Sequence, residues 1–165
     1  MFVKIDEFME AWTEESKLTE RVMEALTDAS LSRPVIEGRR TLGQIAWHLV
    51  GSIHYITHCG LEFAGPASGE QVPASAAEIA KEYRRISGAL LEAIRSQWTD
   101  EHLRAATEIA GEMWSNGASL RFTLMHQAHH RGQMSVLMRQ AGLRVPDIYG
   151  PTYESWIEQG MEPLA

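Results

Sequence analysis

Three of the chain's seven histidines fall within five residues, in Met125-His126-Gln127-Ala128-His129-His130-Arg131-Gly132-Gln133. His126 and His130 are four apart, so on an α-helix they stand one above the other on a single face. Two imidazoles at that spacing can grip one divalent ion from one side, as helical zinc motifs do. The bland reading is a pair of core histidines hydrogen-bonded to neighbouring side chains. On a wheel of about 100° per residue, Ser119, Phe122, Thr123, Gln133, Met134, Leu137 and Ala141 all lie within about 80° of His126. The pair is therefore expected in the middle of the stripe that faces a core. His129 falls at the stripe's edge, and Arg131 points away, toward a surface or interface salt bridge. An imidazole buried without a partner costs roughly 1–3 kcal/mol. Two together need a shared solution, and a metal ion is one.

These side chains need helices to position them. Ile5, Phe8, Met9, Trp12, Val22, Met23 and Leu26 recur at three- and four-residue spacing and predict a first helix over about 4–29. Ser30 to Arg40 holds Pro34 and Gly38 and reads as a connection. Its arginines, Arg33, Arg39 and Arg40, are expected in an exposed loop, with a pocket mouth as the alternative. Thr41 and Gln44 form a capping-box signal for a second helix running to about Cys59. Its stripe is Ile45, His48, Leu49, Ser52, Tyr55, Ile56 and Cys59, which makes His48 a third inward histidine. His54 and His58 fall outside that stripe and are expected in solvent or at an interface, although their own four-residue spacing would suit a surface site. Cys59 lies about 16 Å beyond His48 on a continuous helix, too far to share its ion, and reads as a small buried hydrophobe.

Gly60 to Ala74 has loop composition and is long for a bundle connection, which suggests a crossover. Ser75 with Glu78 predicts the cap of a third helix reaching about Trp98. A short turn through Leu103 follows. Thr107 to Gly117 is the least regular part, a short extended excursion closed by a turn at Ser115-Asn116-Gly117. The fourth helix runs from about Ala118 to Ala141, with Gly142 as its left-handed stop. Arg144 to Ala165 carries Pro146, Pro151 and Pro163 and is expected to be an irregular tail packed through Tyr149, Tyr153 and Trp156. The expected fold is all-α, a single four-helix bundle domain over 1–165 with one long crossover connection.

Composition bounds the function. The 165 residues are 44% hydrophobic and 22% charged, an ordinary globular balance. A net charge of −7 without a basic cluster argues against nucleic acid. No apolar run approaches the roughly 20 residues that span a bilayer. The single cysteine excludes an intramolecular disulfide framework. Together with an N-terminus that is no signal peptide, this leads us to expect a cytoplasmic protein.

If the second and fourth helices are neighbours, His48 faces the His126/His130 pair. Three imidazoles leave a coordination position open, the mark of a catalytic rather than a structural metal site. Zinc would acidify a water there toward about pH 7 or hold a thiol as thiolate. Nickel or iron would accept the same ligands.

The order Thr41-Leu42-Gly43-Gln44-Ile45-Ala46-Trp47-His48-Leu49, then Trp114, then His126-Gln127-Ala128-His129-His130-Arg131-Gly132-Gln133, resembles the DinB-like (YfiT-like) superfamily. The closing Val145-Pro146-Asp147-Ile148-Tyr149-Gly150-Pro151 resembles that family's C-terminal segment. The resemblance spans nearly the whole chain and implies a four-helix bundle with a divalent metal on His48, His126 and His130, and a homodimer. Activities in such families include thiol transfer, thiol-dependent isomerisation and hydrolysis. The implied protein is an enzyme whose metal activates a low-molecular-weight thiol or water against a small electrophilic substrate. The alternative is a non-catalytic dimeric module that binds metal or a ligand in a stress response. No residue presents itself as a general base. Gln44 and Gln133, each one turn from a histidine, are candidates for orienting the ligands.

Overall fold

The computed structural model describes residues 1–163. Four long helices form the body: α1 (Ile5–Glu24), α2 (Leu42–Ile53), α3 (Ala76–Gln97) and α4 (Asn116–Gln140). A two-stranded antiparallel hairpin, β1 (Ala106–Ile109) and β2 (Glu112–Ser115), precedes α4, and a short α5 (Tyr153–Glu158) follows it. Helices α1 and α2 each pack on both α3 and α4, so the order around the bundle is α1, α3, α2, α4. The long 60–75 link thus joins neighbours, while the connections from α1 to α2 and from α3 to α4 span the diagonals. His48 on α2 is thereby set against α4, as the site requires.

Apolar residues at helical spacing close the core, with Phe8, Trp12, Leu49, Ile53, Ile79, Ile86, Leu90 and Met134 wholly buried. Trp12 cannot leave its indole N–H unpaired there, and it donates to Ser87 Oγ at 3.0 Å across the α1–α3 contact. The capping box at Thr41 forms in both halves. Gln44 N–H donates to Thr41 Oγ1 at 3.2 Å, and Thr41 N–H to Gln44 Oε1 at 2.8 Å. At α3 the expected cap is supplied differently: Asp28 Oδ1 accepts the Ala76 N–H at 2.7 Å, and Ser75 makes no side-chain cap bond.

Several boundaries move from their sequence positions. Helix α1 stops at Glu24, because Thr27 and Ser30 cap a separate 3₁₀ turn over Asp28–Ser32. Helix α2 stops at Ile53 and tightens into a 3₁₀ turn, His54–Cys59. The reversal expected at 115–117 lies instead at Ala110-Gly111, where both residues have positive φ as a two-residue hairpin turn requires. Ser115 starts α4, its Oγ accepting the Ala118 N–H at 3.2 Å. Gly117 is needed there because a Cβ would come within 2.1 Å of the Phe2 carbonyl oxygen. Gly142, with φ +75°, ends α4 as expected. The tail contains α5, capped by Thr152, and its last two positions, 164 and 165, lie outside the described residues. Among the described residues no helix is long and apolar enough to cross a membrane.

Candidate metal centre

Helix α2 presents His48 near its middle, and α4 presents His126 and His130 one turn apart. The three rings converge. His48 Nε2 lies 3.2 Å from His126 Nε2, and His130 Nε2 lies 3.1 Å from His126 Nε2. One nitrogen from each of the three falls within 4.8 Å of the others. Cys59 is not part of this group. It is buried, and its carbonyl accepts the Asn116 side-chain amide at 3.4 Å. His54 is half-buried with Nε2 2.9 Å from the Phe63 carbonyl, and His58 is exposed beside Tyr55.

The protonation pattern of the cluster follows from its surroundings. His130 Nδ1 lies 2.7 Å from Gln133 Oε1. The amide oxygen can only accept, so Nδ1 carries the proton and Nε2 offers a lone pair to the cluster. Gln133 also reaches His129, at 3.2 Å. Gln44 lines a groove beside His48, but its Oε1 is committed to the helix cap. Burial is the main cause that lowers His48 and His126 to about 4, and the neighbouring His130 and Arg40 add to it. His130 is also lowered, chiefly by burial, against the opposing pull of Gln133. All three imidazoles are therefore neutral at pH 7.

Three neutral imidazoles packed through Nε2 do not satisfy one another. The His126 Nε2–H bond, if protonated there, can serve one neighbour and leaves the other lone pair facing nitrogen. A divalent ion resolves this. Tetrahedral Zn–N bonds of about 2.0–2.1 Å put ligand nitrogens about 3.3 Å apart, close to the two short separations here. The donor set fits a borderline metal such as zinc, nickel or iron.

The cluster sits at the margin of the α4 core face. The buried α4 residues include Ser119, Leu120, Thr123, Gln127, His130, Arg131, Met134, Leu137 and Met138, centred about 80° from His126 on the helical wheel. The stripe expected from sequence is rotated accordingly. Phe122 is 42% exposed, Gln133 is exposed, and His126 is half-buried at the edge. Arg131, expected to point away, is instead 1% exposed and paired with Glu15 on α1. The rotation leaves His126 half-buried at the solvent edge, as His48 is on α2, while His130 is buried behind them.

Gln127 was not singled out by sequence, yet it is fully buried. It accepts from Tyr83 OH at 3.2 Å and donates to the Leu49 carbonyl at 3.3 Å. It thereby ties α4 to α3 and α2 one residue from His126. It lies about 100° from His126, outside the stripe read from sequence, so its type and position gave no signal.

Two concavities flank the cluster. One, of about 200 Å³, is lined by His48, Ser52, Tyr55, Phe122, Thr123 and His126. The other, of about 440 Å³, lies beyond His48 and includes Arg40, Gln44, Trp47 and Glu70. Trp47 Nε1–H donates to the Gly69 carbonyl at 3.0 Å, which holds the 60–75 link over this groove.

The match to known proteins follows this architecture. The DinB family profile matches residues 1–161. The chain belongs to the DinB family. It is 45% identical over 163 residues to the uncharacterized protein YrdA of Bacillus subtilis (strain 168), covering 98% of each chain. A DinB-like protein from Bacillus cereus ATCC 10987 shares 43% identity and superposes with a TM-score of 0.86, over 90% of this chain and 100% of that one. YfiT from Bacillus subtilis is described as a probable metal-dependent hydrolase with an unusual four-helix bundle topology. It shares the fold at 18% identity and a TM-score of 0.65, over 85% of this chain and 89% of that one. The DinB-family bundle and the histidine cluster are thus both in place in this chain.

The lowered histidines give the family member a pH signature. Without metal, the folded chain holds His48 and His126 neutral down to about 4, while an unfolded chain protonates them near the ordinary 6.5. Between those values the unfolded state binds more protons, so stability falls as pH falls through that window. Urea midpoints of the metal-free protein at about pH 7 and 4.5 should show this loss. His126→Gln should reduce the slope, and an unchanged slope would count against the burial of that ring.

Proposed function

We propose that this chain is a metal-dependent enzyme acting on a small electrophile, with His48, His126 and His130 as the ligands of a divalent zinc, nickel or iron ion. The convergence of three neutral imidazole Nε2 atoms at the open edge of the bundle carries this reading. When bound, the ion supplies Lewis acidity that draws the pKa of a water or thiol toward neutrality. Three protein ligands leave room for that fourth partner, so the reaction is hydrolysis or transfer of a low-molecular-weight thiol. The description of YfiT as a hydrolase favours the first, and the apolar wall beside the cluster suits either. Gln133 fixes the tautomer of His130, and α2 and α4 hold the rings in place without the ion. Elemental analysis of tag-free protein tests the reading. About one equivalent of metal per chain is expected in the wild type and almost none in the His48→Ala/His126→Ala variant. Chelation should leave the helical circular dichroism intact, since the core is complete without the site. A folded wild type that takes up no metal on reconstitution would refute the assignment.

The same reading includes a homodimer. Phe122, Met125 and Val136 are 42%, 55% and 57% exposed and lie on the outer face of α4, with Gly132 between them. This stripe lies about 160° from the buried face, so α4 is apolar on two sides. A second copy of α4 can approach closely at Gly132 and cover the stripe. Val136→Glu should convert a dimer to a monomer in light scattering. A wild type that is already monomeric at about 100 μM, well above the micromolar Kd of even a weak specific interface, would exclude the dimer.

A further inference from the structure

The two concavities beside the histidines differ in chemistry and meet at His48. The smaller is walled by the Tyr55 and Phe122 rings, 6.2 Å apart between centroids, and by Thr123 and Ser52. Its volume of about 200 Å³ exceeds that of an apolar cavity of about 150 Å³ known to take up benzene. No charged side chain lines it, since its two imidazoles, His48 and His126, are neutral. The larger groove carries Arg40. That guanidinium is exposed, and among the described residues no ion pair includes it, although Glu70 lines the same groove. Arg40 and His48 line the same groove, and the guanidinium's charge adds to the lowering of the three histidines. In a chain of net charge −7, an exposed arginine outside any ion pair, in the groove that His48 also lines, is a positive focus beside the site.

We propose that the site divides its ligand's chemistry between these two seats: a ring-sized apolar group against Tyr55 and Phe122, and an oxyanion, such as a carboxylate, held by Arg40 on the far side of His48. This rests on the three-histidine metal reading, because the seats are useful only if the reacting atom lies between them. Arg40 supplies a planar fork suited to two oxygens. The aromatic wall supplies dispersion contact and excludes water from one side of the cluster. A ligand that is apolar throughout fills only the aromatic seat, and one charged at both ends is kept out of that seat by the cost of stripping water from a charge.

The test uses cobalt(II)-loaded full-length protein, in which a thiolate on the metal gives a near-ultraviolet charge-transfer band. Benzyl mercaptan and 3-mercaptopropionate serve as the apolar and anionic probes. Arg40→Gln should weaken 3-mercaptopropionate about five- to tenfold and leave benzyl mercaptan within about twofold. Ser52→Leu, which fills the apolar seat, should weaken benzyl mercaptan about tenfold and spare 3-mercaptopropionate. Phe122→Ala, at an exposed position, should move in the same direction as Ser52→Leu and guards against misfolding of the filled variant. A full complement of cobalt with thiol affinities indifferent to these substitutions, or shifted equally for both probes, would overturn the two seats alone. Failure of the wild type to bind cobalt at all would overturn the metal reading on which they rest.

Discussion

His130→Ala is expected to weaken zinc binding by more than about 100-fold, whereas His54→Ala and His58→Ala should leave it within about twofold. The difference tests geometry against mere histidine content, since both pairs are four residues apart in sequence. His126 Nε2 lies 3.2 Å from His48 Nε2 across the α2–α4 contact and 3.1 Å from His130 Nε2 one turn along α4. His54 is committed to the Phe63 carbonyl, and His58 stands exposed with no third ligand gathered beside it among the described residues. Gln133→Ala should fall between these extremes, at about 10–100-fold, because it removes the acceptor that fixes the His130 tautomer and leaves the ligand itself in place. Zinc competition against a chromophoric chelator at pH 7 measures all four on one scale. Equal losses from the four variants would mean that the metal binds histidines nonspecifically. A Gln133→Ala protein as tight as the wild type would mean that the tautomer is set by something other than this amide.

The histidines were legible because the information lies in short-range spacing. A four-residue interval needs only that the segment be helical, and His48 needs only a capped helix beginning at Thr41. Both conditions hold. The direction of α4 was harder to read. Its buried face includes Gln127 and Arg131, two polar side chains that look like surface residues until their partners on α1, α2 and α3 are in place. Weighting Phe122 and Ala141 instead turned the expected stripe toward the solvent edge. Helix ends were lost for a related reason. Nothing between Ile53 and Cys59 breaks a helical pattern, yet the backbone tightens into a 3₁₀ turn before Gly60 takes its left-handed conformation. At 115–117 a serine, an asparagine and a glycine fit a turn as well as a helix start. The close approach of the Phe2 carbonyl to Gly117, a contact over more than 100 residues, decides between them.

Arg131 carries the second large effect, on stability rather than on the metal. Its guanidinium donates to Glu15 Oε2 at 2.6 Å, to the Glu15 carbonyl at 3.1 Å and to Thr19 Oγ1 at 3.0 Å, and it also contacts Tyr149 OH. The Tyr149 hydroxyl in turn donates to Glu15 Oε2 at 2.8 Å, and its ring lies 5.0 Å from the guanidinium carbon. One side chain thus joins α4 to α1 and to the segment after α4. Arg131→Met keeps the aliphatic volume but leaves the Glu15 carboxylate, 16% exposed, without its cation. Removing one partner of a buried pair is far costlier than the pair is worth, because the remaining charge cannot return to water. The expected loss is about 3 kcal/mol, or roughly 6–12 °C in Tm. Arg144→Ala removes a pair in which both side chains are more than half exposed and should leave Tm unchanged. The informative comparison is Arg131→Met/Glu15→Gln, in which no charge is stranded. If burial of the lone carboxylate is the cause, the double variant recovers a good part of the loss. If it is no more stable than Arg131→Met, the guanidinium acts through its contacts with Thr19 and Tyr149, and the ion pair is secondary. In either case zinc affinity should change little, because Arg131 leaves α4 about 140° from His126 and supports the helix from the face opposite the open side of the site.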